Sequence, residues 1–150
     1  MVRVYVSSVI NAPIEQVWEY LRDFNALPKW FPTVTDSQIE GGMRADQVGC
    51  IRNFGLEGGA RMREQLLALS DQNHSWTYKM IEGPIAISNY VPSFRLLAVT
   101  DGNVTFAEGA VRFDCAKEQE EQMKAFFSNA YLAGFNNVKQ YFAGAKTAKA

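Results

Sequence analysis

Only one histidine and two cysteines occur among the 150 residues. His74 sits in the polar stretch SDQNHS, where a lone loop histidine is a solvated turn residue, so no histidine-based metal site is expected. Cys50 and Cys115 are far apart and form no CxxC, which fits reduced thiols. No window approaches the ~18 apolar residues of a membrane span. The N-terminus, MVRVYVSSVINAPIEQ, has no long apolar run followed by a small-residue cleavage site, so it does not read as a signal peptide. These absences point to a cytoplasmic protein without membrane insertion. Charge of neither sign is in excess. The formal net charge is -1, so nothing points to nucleic acid or an anionic membrane surface as a partner. EGG and EGGM are not phosphate loops, because no GxGxxG or lysine-ended glycine loop is present. No cofactor and no metal is expected. There is no repeat and no low-complexity linker, so residues 1–150 read as one domain.

What is present is a globular composition, 47% hydrophobic, enough for a sizeable core. Residues 2–10 are β-branched and loosely alternating, which suits a strand. NAPIEQVWEYLRDF predicts a helix, with Asn11 as a possible cap, Pro13 in the first turn and Ile14, Val17, Trp18 and Leu21 at helical spacing. ALPKWFP predicts a short turn or second helix. Strands are expected at 33–40, 48–56, 60–69, 75–82, 88–99 and 103–115, separated by turn-forming residues. From about Glu118 to Phe142 apolar residues recur at helical period. The small, basic end, residues 144–150, is expected to fray. The class is α+β: a seven-stranded antiparallel curved sheet around a long C-terminal helix, with two short helices after the first strand.

Alternation along strands singles out two charges. Val48, Cys50, Arg52 and Phe54 share one face, and Ala60, Met62, Glu64, Leu66 and Ala68 share another that is otherwise apolar. A three-residue loop Glu57-Gly58-Gly59 pairs Leu56 with Ala60 and sets Arg52 directly across from Glu64. It also sets Phe54 across from Met62 and Cys50 across from Leu66. Slipping the register by one would split the charges onto opposite faces, against the hydrophobic pattern. Two readings are open. The pair can be an ordinary buried ion pair with little net stabilisation. Or it faces a cavity, where Arg52 holds an oxyanion or carbonyl and Glu64 exchanges a proton.

Other residues extend that second reading. Tyr90 brings a hydroxyl to a dry face, where it needs a partner. The dry alternates Phe54, Met62, Leu66, Tyr78 and Phe94 are candidate ligand contacts. Ala107, Gly109, Val111 and Phe113 continue that face on the last strand, and Gly109 suggests room for something other than its own side chain. On the long helix, Tyr131, Gly134 and Phe135 complete the candidate lining. A bend or a close contact explains Gly134 equally well. Trp18, Trp30 and Trp76 read as core or rim residues.

The blocks INAPIEQVWEYLRDFNALPKWFP, GCIR, REQLLALSD, SWTYKMIEGPIAISNYVPSFRL and TFAEGAVRFD, with AGF in a closing helix, resemble the polyketide cyclase/dehydrase-like branch of the START-like (SRPBCC) superfamily. The resemblance spans roughly residues 3–142 and implies the helix-grip fold. Within that branch the chain is similar to lachrymatory-factor synthases, whose pattern falls here on Arg52, Glu64 and Tyr90. The resemblance implies Arg52 as an oxygen anchor, Glu64 as the proton-transfer group and Tyr90 as a supporting donor. It also implies a tryptophan at the position of Gly109 and a proline at that of Ala86, and this chain departs from both.

The expected function is binding of a small hydrophobic molecule in an internal cavity. Glu64 and Arg52 would supply proton-transfer catalysis: cyclisation, dehydration or isomerisation. The alternative is a non-catalytic binder or carrier of lipid or another small hydrophobe. A third class, an interaction protein, would show a filled cavity. A monomer or homodimer is expected.

Overall fold

The computed structural model describes the backbone of residues 1–149 and the side chains of residues 1–144. Most of the tail expected to fray lies outside the described side chains. In chain order the elements are β1 (Val2–Ile10), α1 (Ile14–Leu21), β2 (Val34–Ile39), β3 (Ile51–Leu56), β4 (Arg61–Ser70), β5 (Ser75–Glu82), β6 (Ser88–Val99), β7 (Val104–Asp114) and α2 (Glu120–Lys149). Single 3-10 turns occupy Leu27–Lys29, Glu40–Gly42 and Lys117–Gln119. The strands form one antiparallel sheet ordered β1-β7-β6-β5-β4-β3-β2. Each sequential neighbour from β2 to β7 pairs with the next, as short turns demand, and β1 closes the order against β7.

Alternation produces the two faces. On β7, Thr105, Ala107, Gly109, Val111 and Phe113 are buried in strict period two. On β1, Val2, Val4, Val6 and Ile10 do the same. Against this dry face α2 lays one stripe, Phe127, Tyr131, Phe135, Val138 and Phe142, at spacings that follow the helical period. The core therefore lies between sheet and helix, as the helix-grip expectation holds. Register shifts between Arg63 and Glu64, between Leu66 and Ala68, and between Ser88 and Val91 interrupt the ladders. Such bulges bend a strand and re-aim the side chain beside them; Glu64 and Tyr90 stand beside two of these shifts.

Three local expectations change. Asn11 does not cap α1; Pro13 occupies the cap position and no side-chain bond is made there. Proline's fixed φ suits a helix start, and the Pro13 carbonyl accepts the Gln16 and Val17 N–H groups. β3 begins at Ile51, and Val48 is exposed, because Gly49 at φ 96 turns the chain before the strand. α2 opens after the turn at Lys117–Gln119 and runs past Phe142 to Lys149.

Candidate functional site

The hairpin between β3 and β4 positions the central pair. Gly58 and Gly59 both take positive φ, and Leu56 donates its N–H to the Ala60 carbonyl at 2.8 Å. Arg52 then faces Glu64, Phe54 faces Met62, and the Leu66 N–H bonds the Cys50 carbonyl. This is the register that the alternation predicts.

Arg52 and Glu64 are each only 3% exposed. The bonding is one-sided: Arg52 donates from Nε at 2.9 Å and from Nη2 at 2.7 Å, both to Oε1 of Glu64. Nη1 donates to the Phe24 carbonyl at 3.1 Å. The guanidinium carbon lies 3.9 Å from the Phe24 ring centre, 4.6 Å from that of Tyr78 and 5.6 Å from that of Phe54. An aromatic box thus surrounds the cation. Glu64 Oε2 receives neither Arg52 bond and is open to the cavity described next. Burial pushes the Glu64 carboxyl above the ordinary carboxylate range, while the Arg52 charge and hydrogen bonds pull against that rise.

A cavity of about 90 Å³ opens beside the pair. Arg52, Phe54, Met62, Glu64, Tyr78, Tyr90 and Tyr131 line it, all of them read from the sequence. Leu27, Phe31, Thr33 and Val34 close it from the segment between α1 and β2, with Leu56 and Ile85 from the strand ends. Phe126, Phe127 and Ala130 close it from α2. The Tyr90 and Tyr131 hydroxyls hydrogen-bond each other. Burial, first of all, raises both phenols well above their ordinary value, and it raises Tyr78 as well. Outside, a second hollow of about 510 Å³ shares Phe31, Thr33, Leu56, Phe126 and Ala130 with the inner one. Those five side chains border both hollows.

The remaining sequence candidates lie elsewhere. Gly109 pairs directly with Phe94 across β6 and β7. A Cβ on Gly109 would stand 2.6 Å from Phe94 Cε1. The room at Gly109 is therefore taken by the Phe94 ring, which stacks on Trp76 at 5.1 Å between centres and meets Trp30, Tyr131 and Phe135 edge-on. Gly134 gives room to Trp30 and Phe31, 3.1 and 3.3 Å from its would-be Cβ. That is the close-contact reading of the helix notch. Leu66, Ala107, Val111, Phe113 and Phe135 are buried in the core without bordering the cavity. Conversely, Phe24, Leu27 and Phe31 were not singled out for the site. Their only sequence signal is apolar residues inside DFNALPKWFP, a segment whose turn character hides where they point.

Among the described residues no helix is long and apolar enough to cross a membrane. Residues 1–143 match the family described as polyketide cyclase / dehydrase and lipid transport. The abscisic acid receptor PYL10 of Arabidopsis thaliana is 26% identical over 128 residues, which is 82% of this chain and 69% of the receptor. The structure of XoxI from Bacillus cereus superposes with a TM-score of 0.87 at 25% identity, over 97% of this chain and 99% of that one. A protein from Nitrosospira multiformis superposes with a TM-score of 0.78 at 29% identity, over 93% and 95%. The chain belongs to the polyketide cyclase / dehydrase and lipid transport family.

Proposed function

We propose that the inner cavity takes a small, mostly apolar molecule and that Glu64 exchanges a proton with it in a cyclisation, dehydration or isomerisation. One observation carries this reading: Arg52 bonds a single carboxylate oxygen, and the other, Oε2, is open to the cavity. A buried carboxyl with a raised pKa and a free oxygen beside a cavity is suited to general acid–base work. Arg52 spends three of its five N–H groups on Glu64 and Phe24, and the oxygen-anchor role implied by resemblance would fall to the other two. The bonds from Nε and Nη2 also orient the Glu64 carboxylate. Tyr90, tied to Tyr131, places a hydroxyl pair on the same cavity.

Native mass spectrometry of the purified protein tests the binding. A bound species is expected, and Ala130→Trp, which adds bulk at a residue bordering both hollows, is expected to lose it. Absence of any bound species, together with no uptake of apolar probes by folded protein, overturns the reading. The chemistry has its own test. Incubated with the captured molecule in heavy water, the protein should incorporate deuterium into it, and Glu64→Gln should bind without doing so. The likeness to a protein named as a receptor favours the second reading, a binder without chemistry. Equal deuterium incorporation by both proteins would establish that Glu64 is not the exchanging group.

A further inference from the structure

Of the side chains that line the inner cavity, Arg52 and Glu64 carry the charges. They cancel each other in a 2.7 Å contact. A ligand therefore meets no uncompensated cation. It meets an acceptor instead, the free Oε2 of Glu64. Nearby, the Tyr90 and Tyr131 hydroxyls bond each other. Whichever of the two donates, its partner keeps a hydrogen to give. The Tyr78 hydroxyl lines the same cavity, so the polar end presents one unpaired carboxylate acceptor among phenolic hydroxyls that can both donate and accept.

We infer that the cavity selects an uncharged amphiphile with a hydroxyl head group, an alcohol or phenol, and rejects the carboxylate of the same shape. The inference rests on the reading that this cavity binds a ligand. A hydroxyl suits both kinds of group: it donates to Glu64 Oε2 and accepts from the tyrosine pair. A carboxylate is acceptor-only. It would set its charge against Oε2 and be buried without a counter-ion, because the Arg52 charge is already neutralised. Discrimination thus comes from a repulsive element as much as an attractive one.

Size fixes where the rest of the ligand goes. The inner chamber of about 90 Å³ is smaller than an apolar cavity of roughly 150 Å³ that holds benzene. It accommodates the head group and the first few carbons. The tail then passes between Phe31 and Phe126 into the outer hollow of about 510 Å³, whose walls include Pro32, Ala130 and Ala133. Phe126 is 51% exposed and borders both hollows.

Calorimetric titration of the full chain with 1-octanol and with octanoate, at pH 7.5 and below the aggregation limit of each, tests this. Saturable binding of 1-octanol at one per chain is expected, with octanoate at least ten-fold weaker. Octanoate binding as tightly as 1-octanol, or tighter, overturns the inference and leaves the binding reading in place. Failure of both probes to bind overturns the binding reading, and the inference with it. Glu64→Gln supplies the second comparison. It frees the Arg52 charge, so octanoate should gain on 1-octanol by ten-fold or more. A folded Glu64→Gln protein with the preference of the parent would show that the pair does not set the selectivity. Should that variant fail to fold, the comparison of the two probes on the unaltered chain still decides.

Discussion

Replacing Arg52 with methionine removes three hydrogen bonds and a buried charge together: two bonds to Glu64 Oε1 and one to the Phe24 carbonyl. Glu64, 3% exposed, is left without a partner for its charge. Removing one member of a buried pair costs about 3–5 kcal/mol. The orphaned Phe24 carbonyl and the lost stacking of the cation on Phe24 and Tyr78 fall on the same side. In a chain of this length each kcal/mol lowers Tm by roughly 2–4 °C, so a drop of about 10 °C is expected. Removing both charges, as Arg52→Met with Glu64→Leu, should bring stability back to within about 2 kcal/mol of the parent, because the desolvation cost leaves with the charges. Urea unfolding followed by tryptophan fluorescence reads this, since Trp18, Trp30 and Trp76 are all buried. The single variant carries a further signature. The Glu64 carboxyl already has its pKa raised by burial, and losing Arg52 removes the counteracting pull. A carboxyl whose folded pKa exceeds its unfolded one binds more protons when folded, so its destabilisation fades as pH falls through the folded value. The stability gap between Arg52→Met and the parent should therefore narrow in acid. A double variant as unstable as the single one would refute this account. It would mean that Arg52 supports the fold through Phe24 and the aromatic faces rather than through Glu64.

Gly109→Ala should destabilise by about 1–3 kcal/mol through overpacking, because its Cβ would press on Phe94 at 2.6 Å; an unchanged urea midpoint would contradict the placement of that ring. Tyr131→Phe alone should cost about 1–3 kcal/mol by leaving the Tyr90 hydroxyl unpaired, whereas Tyr90→Phe with Tyr131→Phe should cost less than the single change, which double-mutant unfolding measures. Asp36, Glu40 and Asp71, each held below the ordinary carboxylate range first by an arginine hydrogen bond, contribute stability that is present above the unfolded pKa and lost as pH falls through the depressed values. The contribution of these three pairs should accordingly be lost below about pH 4, and the urea midpoint should fall there; a midpoint unchanged at pH 3 would count against it.

The fold was legible because its signals are local. Period-two burial on β1, β4 and β7 and the helical stripe of α2 stand in the sequence as written. So did the Arg52–Glu64 register, since two glycines in a short loop and matching dry faces allow few alternatives. The cavity was legible only in half. Alternation says which face of a strand is dry, but not which part of the dry face is filled. Gly109 shows the difference. A glycine on the dry face implies missing volume, and the ring that fills it comes from the opposing position on β6. Pairing of β6 with β7 would have to be known residue by residue before that could be read. The wall from Leu27 to Val34 is harder still, because an irregular segment has no period from which to infer direction.

The geometry of the pair bears on why a cavity lies there at all. An arginine that serves packing alone gains most from a fork in which two parallel bonds meet both carboxylate oxygens. That arrangement would satisfy Glu64 fully and allow side chains to close over it. Here both donors converge on Oε1, and Nη1 turns to the Phe24 carbonyl instead. The result holds Arg52 against the aromatic box and leaves Oε2 with unmet capacity to accept. Closing Phe31, Phe126 or Met62 over that oxygen would bury an acceptor without a donor, at a cost of about 1–3 kcal/mol. The one-sided pairing thus resists collapse of the cavity at its polar end. Elsewhere on the same dry face, Trp76 and Phe94 pack ring against ring with Trp30 and with Phe135 of α2. One sheet face thus carries packed rings at Trp76 and Phe94 and a cavity beside the unpaired oxygen of Glu64.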